Sequence, residues 1–142
     1  MGYSIHVLPE HRLGVVRLYD RVDGAALIET FGLLVHDADW EPGFSSVWDA
    51  RLVRALAMSP EDPPRFAEVQ GALSGPHGPG RTAVLTRHTL DETTTRVLRI
   101  KWAGGPGRQI QGFLDRADAA AWLGVPVKAL TQRYELAWGA PR

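Results

Sequence analysis

The chain has 142 residues, of which 44% are apolar, with sixteen basic and sixteen acidic residues and no cysteine. That length suits one domain with one core, the neutral balance gives no field to steer the protein toward nucleic acid or an anionic membrane, and the lack of thiols removes disulfides, thiolate zinc sites and cysteine nucleophiles together. No stretch approaches the ~18 apolar residues of a membrane span and MGYSIHVLPEHR has no basic-then-apolar leader pattern, so a cytoplasmic protein is expected.

Tyr3 to Leu8 and Leu13 to Tyr19 are β-favouring runs separated by Pro9, Glu10, His11 and Arg12, a connection of hairpin length, which predicts an antiparallel pair. Asp23 then stands as an N-cap before Leu27, Phe31, Leu34, Val35 and Ala38, apolar residues at helical spacing. The turn-rich stretch DWEPGF (39–44) leads to a strand over Val47 to Val53 that continues toward Leu56 and Met58. A second helix follows, with Phe66, Val69, Ala72 and Leu73 on one face.

Gly75 to Gly80 is a glycine and proline connector, and TAVLT (82–86) is a compact apolar strand of the kind buried on both faces. Arg108 to Leu114 is a further strand. A crossover between two parallel neighbours is usually helical, and residues 88–105 are the only segment able to supply it, although Leu98, Ile100 and Trp102 also alternate as in a strand. Asp115 caps a last helix whose buried side is Ala119, Ala120, Trp122 and Leu123, and Gly124 with Pro126 ends it. The order ββαβαβαβα predicts an α/β domain with a mixed four- to five-stranded sheet and helices packed on it, spanning residues 1–126. Residues 127–142 form a tail in which Tyr134, Leu136 and Trp138 alternate with Arg133, Glu135 and Ala137 as in a strand, while Leu130, Tyr134 and Trp138 also fit a helix.

The segments DWEPGF (39–44), VWDAR (47–51), MSPED (58–62) and AAAWLGVP (119–126), in this order and spacing, resemble the SpoIIAA-like family of small bacterial proteins, relatives of the STAS domain. The resemblance covers roughly residues 3 to 126. It implies a four- or five-stranded mixed sheet flanked by helices, in a family whose members are mostly of unknown activity. In STAS antagonists of anti-sigma factors, a serine after the third strand is phosphorylated to break a protein complex, and Ser59 stands near that position. Those regulators show a serine pair followed by glycine there, whereas Pro60, Glu61 and Asp62 follow Ser59 here.

Ser59 therefore has two readings. A phosphate at a helix start would meet unpaired N–H groups and the positive end of the macrodipole, but Glu61 and Asp62 would repel it. The favoured reading is structural: a helix that begins at Asp62, with Pro63 in its first turn, leaves Ser59 in the preceding turn.

Other motifs carry less. GPHGPGRT (75–82) has the glycine spacing of a phosphate-binding loop, but a helix precedes it and a strand follows, the reverse of what that loop requires. His36, Asp37 and Asp39 lack a spacing that converges on a metal, and fit a solvated helix end. The basic run Arg87, Arg96, Arg99, Lys101 and Arg108 reads as a solvated face. No cofactor or metal is implied.

Of the tryptophans, Trp48 and Trp122 fall on core positions, while Trp40, Trp102 and Trp138 are candidates, with Tyr134 and Leu136, for an apolar ligand pocket or partner surface. The leading expectation is a non-catalytic module that recognises a protein partner, with homodimerisation through the tail. The alternatives are a carrier of a small apolar ligand or lipid, and an enzyme using His88 with Asp91 or Glu92 as acid and base.

Overall fold

The computed structural model describes residues 2–57, 59–87 and 108–130. Five strands form one sheet in the order β1-β2-β3-β4-β5: β1 Gly2–Leu8, β2 Leu13–Asp23, β3 Ser45–Ala57, β4 Gly80–Leu85 and β5 Arg108–Phe113. β1 and β2 are antiparallel, joined by a 3-10 turn at Pro9–His11, and every later pairing is parallel. Arg12 closes the turn in the left-handed region at φ 51°, its N–H donating to the Pro9 carbonyl at 3.1 Å.

Helix α1 (Gly24–Val35) links β2 to β3 and α2 (Asp62–Ala72) leads, through the single turn α3 (Ser74–His77), to β4. The strand order always steps the same way, so right-handed crossovers place α1 and α2 on one face. Phe31, Leu34 and Phe66 pack there on Val16, Leu18, Trp48 and Val84. Helix α4 (Arg116–Leu123) follows the last strand and covers the other face, where Ala119 and Ala120 meet Leu13, Val15, Val47 and Ala83. The two sets alternate along each strand, as the period of two demands.

The local signals act as predicted at both capped helices. Asp23 Oδ1 accepts from the Ala26 N–H at 2.8 Å, and Asp115 Oδ1 accepts from the Ala117 N–H at 2.5 Å. Gly124 closes α4 in the left-handed conformation, φ 75°. Three expectations change. α1 ends at Val35, three residues before Ala38, because His36 caps it: its N–H and its ring Nδ1 both lie on the Gly32 carbonyl, at 3.1 and 2.8 Å. The expected strand at 47–53 runs from Ser45 to Ala57, because β2 itself extends to Asp23 and pairs with it from end to end across two register shifts. The core reaches past residue 126, since Ala129 and Leu130 are buried in the second cluster.

The predicted crossover helix at 88–105 and the alternating stretch at 134–138 lie outside the described residues. No helix among the described residues is long and apolar enough to cross a membrane.

Candidate functional site

A doubly wound sheet makes its ligand crevice where the strand order reverses. This sheet has no such reversal. Candidate sites therefore sit at turns, on the polar part of one face, or along an edge.

The first is the turn before α2. Ser59 is exposed, and its N–H donates to Asp62 Oδ2 at 2.7 Å. Asp62 is only 7% exposed, and its N–H returns to the Ser59 carbonyl at 3.1 Å. The Ser59 side chain is the largest cause holding the Glu61 carboxyl below the ordinary glutamate range. Asp62 also lies against the Cα of Gly24, at the start of α1, where a Cβ would collide with its side chain. Asp62 thus ties down the turn that carries Ser59, and both carboxylates put negative charge near its hydroxyl.

The second is a buried charged group that the sequence reading missed. Arg17 and Asp49 are register partners on β2 and β3. Just beyond them the register skips Ala50 and Arg51, a bulge in β3. The Asp49 carboxylate accepts the Arg51 N–H at 3.1 Å and grips the Arg51 guanidinium through Nε at 2.9 Å and Nη2 at 2.7 Å. Arg17 Nε stands 4.0 Å from the same carboxylate, whose side chain is 1% exposed. The sequence signal was a charged residue inside each of two apolar runs, VVRLY and VWDAR; that they meet follows only from the register.

Trp40 is corrected from surface to core. Its indole is 7% exposed, lies edge-on to Phe44 and stacked on His77, and donates from Nε1 to the Pro76 carbonyl at 3.0 Å. His77 in turn meets Phe31 edge-on, with ring centres 4.8 Å apart. Burial follows because the turn at 39–44 is folded against the connector at 75–80: the Gly43 N–H donates to the His77 carbonyl, and Gly78, at φ 70°, lets the two backbones touch. The glycine pattern there serves this close approach, and β4 begins at Gly80. Trp48 is buried as expected, while Trp122 is half-buried against Phe113 with the Arg81 guanidinium over its ring. Trp102, Tyr134, Leu136 and Trp138, like His88, Asp91 and Glu92, fall outside the described residues.

The third place is a groove of about 370 Å³ lined by Ile5 to Glu10 together with Asp37 and Asp39. Asp37 and Asp39 form a local turn, the Asp37 carboxylate accepting the Asp39 N–H at 2.9 Å.

No protein-family model matches the sequence, and no curated protein matches it. Among solved structures, it is similar to the crystal structure of an uncharacterised protein of the DUF3478 family, described as having a SpoIIAA-like fold, from Shewanella loihica PV-4. The TM-score is 0.56 at 17% identity, over 86% of this chain and 94% of that one. The fold is SpoIIAA-like. It is the architecture that the segment order in the sequence implied, with a fifth strand at the sheet's far edge.

Proposed function

We propose that this SpoIIAA-like domain is a non-catalytic binding module that recognises a protein partner. The observation that carries the reading is the SpoIIAA-like sheet with an exposed turn at Ser59 leading into α2, whose Arg65, Ala67 and Glu68 face solvent. Binding modules of this size work by presenting a rigid surface, and two buried clusters on opposite faces hold this one. The groove beside β1 carries carboxylates among its lining, which suits a polypeptide better than a lipid. In this reading Ser59 shapes the turn, and the paired carboxylates of Glu61 and Asp62 oppose a phosphate on it. Self-association through residues 131–142 belongs to the same proposal.

A photo-crosslinking amino acid placed in turn at Ala67, at Ser59 and at Ile5 tests this in the cells that make the protein. The expected result is one defined adduct from at least one position and none from exposed Gln111 on β5. Equal, diffuse labelling from all positions overturns the reading. Sedimentation of the full chain against a chain ending at Leu130 tests self-association; cutting at residue 126 would also strip Ala129 and Leu130 from the core.

A further inference from the structure

β1 stands at one edge of the sheet and, among the described residues, pairs with β2 alone. Edge strands are usually blunted by lysine, proline, bulges or brevity, because their outward N–H and C=O groups invite another strand. β1 has none of these guards: it is seven residues long, keeps unbroken register with β2, and its sequence GYSIHVL holds no lysine, arginine, aspartate or glutamate. Among the described residues the opposite edge is β5, which carries Gln109, Gln111 and Gly112.

The groove follows that edge. Neighbouring side chains of a strand point to opposite faces, so a groove lined by the consecutive residues Ile5 to Leu8 runs along the strand's side and not over one face. Its wall is acidic: Glu10 follows the strand, and Asp37 and Asp39 come from the turn after α1, where the negative end of the helix dipole adds to their charge. Neither Asp37 nor Asp39 enters any ion pair among the described residues. Backbone groups facing outward and carboxylates beside them ask for an extended chain bearing a cation. A second copy of β1 contains neither lysine nor arginine, and so does not supply it.

Building on the partner-recognition reading, we propose that β1 is a docking strand for an extended segment of a partner protein that carries lysine or arginine. The segment adds to the sheet as a further strand beside β1, and its cationic side chain enters between Asp37 and Asp39.

The test uses the full-length, ¹⁵N-labelled protein and two synthetic peptides as long as β1, one alternating valine with lysine and one alternating valine with glutamate. The lysine peptide is expected to bind, to slow amide exchange at alternate residues of Ser4 to Leu8, and to bind less tightly as salt rises. The glutamate peptide is expected not to bind. The double variant Asp37→Asn/Asp39→Asn keeps an acceptor for the Asp39 N–H and is expected to weaken the lysine peptide about three- to tenfold. No binding, equal binding of the two peptides, unchanged affinity in the double variant, or protection absent from β1 each overturns the proposal. Concentration-dependent protection of β1 without peptide assigns the edge to a second copy and also overturns it. A defined crosslink at Ala67 with β1 silent leaves partner recognition standing while this site falls.

Discussion

The carboxylate of Asp62 accepts the backbone N–H of Ser59 at 2.7 Å while its side chain rests on the Cα of Gly24. One buried acid therefore fixes the turn before α2 and the junction between α1 and α2. Asp62→Ala is expected to cost about 1–2 kcal/mol, as loss of a helix-start acceptor does, and Asp62→Asn less, since it keeps an oxygen there. Gly24→Ala is expected to cost about 1–3 kcal/mol by overpacking and appreciably less in the Asp62→Ala background. Urea denaturation of the two single variants and the double variant measures that coupling.

Glu61 gives a pH readout of the same turn. The Ser59 hydroxyl and the Glu61 backbone hold its carboxyl below the ordinary glutamate range, against opposition from Asp62. A depressed folded-state pKa means that the contact's contribution is present above the unfolded value and is lost as pH falls through the folded value. Carboxyl NMR titration should find Glu61 titrating lower than a peptide glutamate, and Ser59→Ala should move it upward. An unchanged midpoint in that variant would show that the hydroxyl does not bind the carboxylate.

The contact between the 39–44 turn and the 75–80 connector is expected to depend on Trp40 and Gly78. Trp40→Phe removes the donor to the Pro76 carbonyl while keeping a ring, for a loss of about 1 kcal/mol. Gly78→Ala places a side chain at positive φ and against the Gly43 backbone, and should cost at least about 2 kcal/mol. Thermal unfolding followed by tryptophan fluorescence checks both.

Asp49 should be the most sensitive charged position among the described residues. Removing a carboxylate whose side chain is 1% exposed leaves the buried Arg17 and the partly exposed Arg51 beside it without that charge. Asp49→Ala is expected to cost about 3–5 kcal/mol. Arg51→Ala should cost less, because the Arg51 side chain is 25% exposed and water can reach it. Guanidinium denaturation of both variants gives the order.

What could be read from the sequence was what depends on near neighbours. Asp23 and Asp115 mark their helices because a cap acts within three residues, and Phe31 and Leu34 mark a buried face because the helical period is local. Trp40 was misplaced because its partners, Pro76 and His77, lie more than thirty residues away. Arg17 and Asp49 were missed for the same reason: each looks like an ordinary solvent-facing strand residue until the register of β2 against β3 is known. The docking edge was equally hidden, since nothing local in GYSIHVL says that it lies outermost.

The monotonic order of the five strands has a consequence for how the protein is made. Each ribbon lies beside the one synthesised just before it, so the sheet can assemble vectorially as the chain emerges from the ribosome, with no early piece waiting for a distant late one. A nascent chain whose residue 87 has already cleared the ribosome would hold four adjoining ribbons and the first of the two apolar layers.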